Sequence, residues 1–447
     1  MAAARGFRLF LCLAIWSCLQ ATAFSQMNVP ARSYLDRYDL ARDWWGTCVF
    51  DAPRDRILGL TLGEHNLYVQ SESGAVSTFN MQTGRRLWTT QVGQSDNATA
   101  RPVEFRDWVL VLSGLGVYGL RQKDGQVRWK LPLDHAPTAT PAVDGNSLYV
   151  VNQRGTLLSY NINRILELEE EGRLEKGSGL ALRWRYFTSK AITFPPMTQG
   201  GYVYLTGADG SFYSLTALTH QLNYRFESQY PLSAPVTAVD KGFLLTTENF
   251  HLYCIEGNSG KIRWQFVSGP RISLAARAVE NHVFVSPELS PMLCLDAKTG
   301  IKLWQSEAPA TFVAAAPKRV YASDHLGNLL ILSRETGDTI FTVPLQQYKL
   351  RMANDVTDRI IMATDNGNIL VLRDKDVPQT LQYRFPERQP ISPDFAPEAA
   401  IGEDGAVDAP ADGQKPDAGK PDAEKQDGDK PEQDADKKPA EDKPEAM

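Results

Sequence analysis

Short alternating runs of apolar and polar residues, separated by turns, recur from about residue 56 to residue 385. A β-branched and aromatic run, such as residues 147–152 or 202–207, is followed by a turn and a second apolar run, such as residues 210–216. A turn, an aromatic run and a segment of small residues, such as 232–239, complete the unit. The pattern predicts four short strands in each unit of about 40 residues.

An aromatic residue recurs near the end of each unit. In the four clearest copies, QTGRRLW, KDGQVRW, NSGKIRW and KTGIKLW, it is Trp88, Trp129, Trp264 and Trp304. The weaker copies place Trp184, Tyr224, Phe341 and Tyr383 there, and successive aromatics are 41, 55, 40, 40, 40, 37 and 42 residues apart. The chain therefore contains eight copies of one structural repeat.

The turn before the aromatic residue carries a glycine in five copies: Gly84, Gly125, Gly260, Gly300 and Gly337. A tight turn between strands needs positive φ, which glycine adopts at little cost. The aromatic side chain buries on the order of 150 to 250 Å² and its N–H needs an acceptor. We therefore predict that the eight aromatic residues dock each unit on its neighbour.

The repeat predicts an all-β protein. One four-stranded sheet of this length cannot bury both faces, whereas radial repetition buries them and protects the strand edges. We predict an eight-bladed β-propeller of four-stranded antiparallel blades over residues 56–387. A linear β-solenoid is the structural alternative, but its coils have a shorter period and do not need a regularly spaced aromatic residue in each repeat.

The 55-residue interval contains a charged insertion at residues 161–179, NINRILELEEEGRLEKGSG. Its composition predicts a short exposed helix. Two interpretations stay open. The segment is either a solvent-exposed insertion in one repeat or a partner-binding helix whose apolar stripe is formed by Ile165, Leu168 and Leu174.

The N-terminus resembles a targeting segment. Arg5 and Arg8 precede an apolar run at residues 9–19, and small residues follow, so residues 1–23 are predicted to be a secretory signal. An uncleaved anchor is the alternative, although the apolar run is short for one. Residues 24–55 are interpreted as an N-terminal extension with one helical turn, in which Trp44 and Trp45 pack on the propeller.

Residues 388–447 form a tail rich in Pro, Ala, Asp, Glu and Lys. The net charge of the chain is −6, and residues 401–447 alone contain 15 Asp and Glu against 7 Lys, so residues 1–400 carry about +2. A nearly neutral folded part gives little support to nucleic-acid binding. The tail is predicted to be disordered, either as a spacer with electrostatic contacts or as a solubilising segment.

Cysteine and histidine spacing indicates no metal site. Beyond Cys12 and Cys18 of the signal, three cysteines remain: Cys48, Cys254 and Cys294. They are widely spaced and form neither a disulfide framework nor a zinc motif. Cys254 and Cys294 occupy one repeat position, where other units carry Thr78, Gly119 or Ser214, and are predicted to fill a small buried slot. Cys48 is either buried under the first blade or free to pair between chains. The histidines are scattered: His65, His135, His220, His251, His282 and His325.

The segment LDAKTGIKLW at residues 295–304, with its weaker copies, resembles the tryptophan-docking motif of pyrroloquinoline-quinone-type propeller repeats. The resemblance covers about three quarters of the chain and implies one of two classes. Quinoprotein dehydrogenases would bring the quinone, a calcium ion, a catalytic aspartate and, in many members, two adjacent cysteines. No two cysteines are adjacent here, and the strand-end aspartates are typical turn residues: Asp144, Asp209, Asp240 and Asp324.

The second class is non-catalytic and is exemplified by the propeller lipoprotein of the outer-membrane barrel assembly machine. This class fits the sequence better. We therefore predict an exported, monomeric, non-enzymatic interaction or scaffold propeller of the cell envelope or periplasm, with envelope proteins as partners. No catalytic, cofactor-binding or metal-binding residue is assigned. The alternative is a PQQ-dependent oxidoreductase with its cofactor in the central channel.

Truncating the chain after Pro390 is expected to leave the propeller's thermal unfolding unchanged, because a disordered tail contributes no packing. Calorimetry of the full-length and truncated proteins measures this. A large drop in the midpoint temperature would contradict the disorder prediction.

Overall fold

The computed structural model describes residues 29–50, 55–94, 100–384 and 386; the predicted signal and tail lie outside these residues. Within them the chain forms an eight-bladed β-propeller of four-stranded antiparallel sheets, which confirms the predicted fold class. Helix α1 spans Arg32–Asp36 and β1 spans Leu40–Thr47.

Seven blades take four consecutive strands each. In the first three blades these are β2 Ile57–Leu62, β3 Asn66–Ser71, β4 Ala75–Asn80, β5 Arg86–Gln91, β6 Val103–Phe105, β7 Trp108–Ser113, β8 Gly116–Arg121, β9 Val127–Pro132, β10 Ala142–Asp144, β11 Ser147–Val151, β12 Thr156–Asn161 and β13 Leu182–Phe187. Between β12 and β13 lie α2 Ile162–Glu170, α3 Leu174–Gly177 and a 3₁₀ turn, Ser178–Ala181.

The remaining blades follow the same plan. Their strands are β14 Met197–Gln199, β15 Tyr202–Thr206, β16 Ser211–Thr216, β17 Leu222–Glu227, β18 Thr237–Val239, β19 Gly242–Thr246, β20 His251–Glu256, β21 Ile262–Val267, β22 Arg277–Val279, β23 His282–Val285, β24 Pro291–Asp296, β25 Lys302–Pro309, β26 Thr311–Ala315, β27 Arg319–Ser323, β28 Leu329–Ser333, β29 Thr339–Val343, β30 Leu350–Arg351, β31 Ile360–Ala363 and β32 Asn368–Asp374.

The eighth blade is built from both ends of the propeller. Its sheet order is β30-β31-β32-β1, and β1 pairs antiparallel with β32 from Leu40 opposite Asp374 to Thr47 opposite Asn368. This differs from the predicted organisation, in which residues 24–55 preceded the propeller and Tyr383 completed the last unit. Tyr383 lies outside the strands, and Trp44 in β1 takes the docking position instead. The ring closes by backbone hydrogen bonds because no covalent turn joins β32 to β1.

Ion pairs support this closure. Arg319 lies 2.7 Å from Asp374 and 3.0 Å from Asp39, and the Tyr321 hydroxyl donates to Asp374 at 3.0 Å. Asp374 is only 2% exposed, so its charge needs these partners. Through Arg319, the seventh blade is therefore connected by ion pairs both to β32 of the eighth blade and to the residue that precedes β1.

Five docking indoles contact the next blade through a backbone carbonyl. The Nε1–H of Trp264 donates to the carbonyl of Ala297 at 3.0 Å, and that of Trp304 donates to the carbonyl of Arg334 at 2.8 Å. The same bond joins three further pairs: Trp44 to Met81, Trp88 to Gln122 and Trp184 to Ala217. The Tyr224 hydroxyl donates to the carbonyl of Gly257 at 3.1 Å.

The turn glycines receive these rings. Gly300 has a φ of +72°, and a Cβ added to it would lie 2.5 Å from the Trp264 ring. The other pairs are Gly84 with Trp44, Gly125 with Trp88, Gly260 with Tyr224 and Gly337 with Trp304, each with an added Cβ under 3 Å from the ring. The glycine thus provides both positive φ and room for the aromatic side chain of the preceding blade.

The insertion changes this junction at one place. Trp129 is 2% exposed, and its Nε1–H has no acceptor among the described residues, because helix α2 follows β12 where other blades have the turn. Ile165, Leu168 and Leu174 are all at most 1% exposed and pack in one cluster with Trp129. The partner-binding interpretation of this stripe is therefore wrong, since the stripe packs on the second blade.

At two other junctions a different residue replaces the turn glycine or the docking tryptophan. His220 stands where other turns have glycine, with a φ of +51°, and its ring centroid lies 5.4 Å from that of Trp184. Phe341, which has no polar group to donate, contacts Tyr38 edge-to-face at 5.8 Å. Tyr38 lies two residues before the start of β1, so this contact joins the seventh blade to the closing one.

Replacing Gly300 by Ala is expected to destabilise the protein more than Gly269→Ala does. Gly269 has a similar φ of +81°, but nothing lies within 4 Å of its added Cβ. Both variants carry the backbone penalty of about 1–2 kcal/mol, and only G300A also displaces Trp264. Trp264→Ala should cost about 3–5 kcal/mol.

Chemical denaturation of the single variants and of the double variant W264A/G300A measures the change in the free energy of unfolding caused by each substitution. We expect the extra cost of G300A to disappear when Trp264 is already Ala. Equal losses for G300A and G269A would show that the ring contact has no energetic role.

Candidate functional site

Two cavities of about 500 Å³ and about 970 Å³ lie along the central channel of the described part of the chain. Between them they are lined by residues of all eight innermost strands: β2, β6, β10, β14, β18, β22, β26 and β30. Both volumes are in the range of ligand-binding cavities. Arg277, Asp355 and Arg384 border both, so the two cavities meet at these side chains.

The C-terminal end of the described chain enters this channel. The amide of Tyr383 donates to the carbonyl of Val356 at 2.8 Å, and its hydroxyl donates to the carbonyl of Ala315 at 2.9 Å. The amide of Leu381 donates to the carboxylate of Asp358 at 2.9 Å. Burial raises the pKa of Tyr383. The predicted docking residue is thus part of the channel wall.

The carboxylates that line the cavities are paired with arginines. Asp355 is 6% exposed and lies 2.9 Å from Arg384 and 3.6 Å from Arg277. Glu280 lies 2.7 Å from Arg334, and Asp240 lies 3.9 Å from Arg263. Calcium takes six to eight oxygen ligands, and carboxylates that already neutralise guanidinium groups are poor candidates. The donor set does not fit the calcium ion of a quinoprotein.

The sequence matches the family model described as outer membrane protein assembly factor BamB over residues 44–172 and 223–379, which is more than half of the chain. The chain belongs to the BamB family. Seven of the eight blades fall largely within the matched ranges, whereas β13 of the third blade and β14, β15 and β16 of the fourth lie outside them. No curated protein matches the sequence.

Solved structures share the fold. BamB from Moraxella catarrhalis is 17% identical, with a TM-score of 0.58 over 75% of this chain and 97% of that one. The computationally designed Ika8 protein is 15% identical, with a TM-score of 0.56 over 71% of this chain and 96% of that one. The C-terminal WD40 domain of Sif2 is 10% identical, with a TM-score of 0.56 over 75% of this chain and 98% of that one.

The strand-end aspartates of this BamB-family chain occupy turns. The carboxylate of Asp324 accepts from the amides of Leu326 and Asn328 at 2.9 and 2.7 Å, and that of Asp209 accepts from the amide of Ser211 at 3.0 Å. Asp144 ends β10, and of the four aspartates only Asp240 borders either of the two channel cavities described above. Among the described residues no three His, Cys, Asp or Glu side chains cluster as metal ligands, and no helix has the length and apolar character to cross a membrane.

The channel arginines were missed by sequence reasoning. Arg101, Arg277 and Arg384 lie far apart in the sequence and in no repeated motif. The sequence carried a signal for the first two, because each is a charged residue next to small residues at an innermost strand: Arg101 lies two residues before β6, and Arg277 is the first residue of β22.

The cysteines occupy buried positions. Cys254 and Cys294 are fully buried and lie opposite Trp264 and Trp304 in the strand register. Cys48 is 6% exposed and packs between the closing blade and the first one. The three described cysteines form no disulfide. Burial raises the pKa of Cys254 to about 11 and the pKa of Cys48 and of Cys294 to about 12.

We expect Cys48, Cys254 and Cys294 to resist thiol reagents in the native protein up to about pH 9. The thiolate is the reactive form, and each folded-state pKa lies above this range, so the thiols stay protonated and inaccessible. Mass spectrometry after iodoacetamide treatment, with and without denaturant, measures the labelling. Rapid native labelling of Cys254 at pH 8 would contradict the buried placement.

Proposed function

We propose that this protein is an exported, non-enzymatic scaffold of the cell envelope that binds partner proteins through one face of its propeller. The observation that carries the proposal is the match to the BamB family model, whose description is that of an assembly factor, over most of the blades. The pairing of the cavity carboxylates with arginines supports a binding role over a catalytic one.

The binding face is assigned from exposed apolar side chains. Phe250, Leu289 and Leu326 are 41%, 91% and 63% exposed and lie in the turns between the second and third strands of three successive blades. We call these three residues the apolar rim. Because antiparallel strands alternate in direction, these turns share a face with the connections between blades. Exposed apolar groups clustered on one face are typical of protein interaction sites.

Backbone strain supports this assignment. Phe250 and Leu289 have positive φ values of 68° and 50°. The equivalent turns of other blades contain positive-φ glycines: Gly74, Gly155, Gly210, Gly327 and Gly367. A bulky side chain in this conformation costs roughly 1–2 kcal/mol. A residue that destabilises the turn and is also exposed is a candidate for function.

Ion pairs hold two of these turns together. Arg271 lies 2.7 Å from Glu248 and 3.5 Å from Glu288, which belong to the turns of the fifth and sixth blades. The apolar rim is therefore presented on turns that are linked across the blade boundary, a preorganised arrangement that lowers the entropy cost of binding.

Substituting glycine for Phe250 or Leu289 is expected to weaken partner binding and to stabilise the fold by about 1 kcal/mol, because the strain is removed with the contact. Leu218→Gly is the matched control: Leu218 is 81% exposed, but its turn lies between third and fourth strands on the opposite face. Photo-crosslinking from position 289 or position 218 in the native host identifies partners, and the purified partner then gives the affinities.

We expect crosslinks to envelope proteins from position 289 and none from position 218, with affinity falling about tenfold or more in F250G. Crosslinks of equal strength from both positions would contradict the assigned face. Stoichiometric binding of pyrroloquinoline quinone with dye reduction would overturn the non-enzymatic role.

A further inference from the structure

The smaller channel cavity has an excess of positive charge. Its wall contains Arg101, Arg277, Lys349, Arg351 and Arg384, against a single carboxylate, that of Asp355. We call it the basic cavity. Two of the five cations are engaged elsewhere: Lys349 lies 2.6 Å from Asp365, and Arg351 donates to the carbonyls of Asn328 and Leu345 at 3.0 and 3.1 Å. The other three face the cavity with one carboxylate among them.

Arg101 and Arg277 are the least compensated of these groups. Arg101 donates no hydrogen bond to any described residue, and the buried Nε of Arg277 has no partner among them. Both side chains border the same cavity. Partial burial lowers the pKa of Arg101, and the positive charge of Arg277 lowers it further. Asp355, 3.6 Å from Arg277, is the one carboxylate near this pair, and it also pairs with Arg384 at 2.9 Å. The positive charge is therefore only partly neutralised, an arrangement that an anion would stabilise.

The rest of the wall is apolar. Leu60 and Leu62 of the first blade, Leu274 before the sixth, and Phe312 and Val313 of the seventh border the same space. A volume of about 500 Å³ accommodates a small organic molecule, and a few polar groups in an apolar pocket are typical of sites that orient a ligand.

We propose that the basic cavity binds a small organic anion whose carboxylate or phosphate group lies between Arg101 and Arg277 and whose apolar part contacts Leu60, Leu274 and Phe312. Planar guanidinium groups bind both kinds of anion through paired hydrogen bonds. The site is separate from the apolar rim, so it would be present whether or not the rim binds a partner.

Three probes test the proposal on the full-length protein by isothermal titration calorimetry. Benzoate has a carboxylate and a ring, benzamide is its neutral analogue, and inorganic phosphate is an anion without an apolar part. We expect benzoate to bind, phosphate to bind more weakly and to reduce the apparent affinity for benzoate, and benzamide not to bind. Equal binding of benzoate and benzamide, or no binding of benzoate or phosphate at millimolar concentration, would overturn the proposal.

Variants locate the site. Arg101→Gln and Arg277→Gln should each weaken benzoate binding about tenfold to a hundredfold, the effect of losing a charged hydrogen bond. Arg128→Gln is the matched control, since Arg128 is exposed on the outermost strand β9 and borders neither cavity. Unchanged affinity in R101Q would overturn the proposal. R101Q tests it even if R277Q fails to fold, because Arg101 makes no hydrogen bond to the described structure.

Two further readouts separate a binding role from a structural one. Without ligand, R101Q should unfold at the same temperature as the unmodified protein or at a higher one, because a repulsive charge is removed; a marked decrease would show a structural role and contradict the proposal. The chain truncated after Pro390 should bind benzoate as the full chain does. Binding seen only after truncation would assign the basic cavity to the acidic tail and overturn the proposal of a diffusible ligand.

Discussion

The propeller depends on the contact between an aromatic ring of one blade and a glycine in the turn of the next. The ring buries a large area, its N–H is satisfied by a carbonyl of that turn, and the glycine has no Cβ to obstruct it. Each blade therefore contributes its aromatic ring to the junction with the following blade and its glycine turn to the junction with the preceding blade. Stability arises from repetition of this contact around the ring, and each blade is stable mainly through its neighbours.

This contact also explains why much of the fold could be predicted from the sequence. The glycine and the aromatic residue of one copy are four positions apart, as in Gly300 and Trp304, so the repeat is visible locally even though each partner lies in a neighbouring blade. The eighth copy was misplaced because a forward search from Trp304 ends at Tyr383. The eighth docking residue is Trp44, which lies 44 residues before Trp88. It precedes the other seven in the sequence because the last blade takes one strand from the N-terminal side of the propeller.

The candidate sites were less predictable for a physical reason. The basic cavity combines Arg101, Arg277 and Arg384 from three separate parts of the chain, and no spacing rule joins them. The apolar rim was nearer to prediction, because Phe250 stands where other turns have glycine. The stripe of Ile165, Leu168 and Leu174 was recognised, but its orientation depends on Trp129, whose turn partner is replaced by the insertion.

The closing blade has a consequence for self-association. If β1 detaches, β32 presents an unpaired strand edge that accepts any strand of matching register, and the best match is β1 of a second copy. Strand exchange between molecules would preserve every backbone hydrogen bond and the Trp44 contact while joining two rings. The pairing of Arg319 with the buried Asp374 and with Asp39 favours the strand of the same chain, since it requires β1 and its preceding residues to dock together.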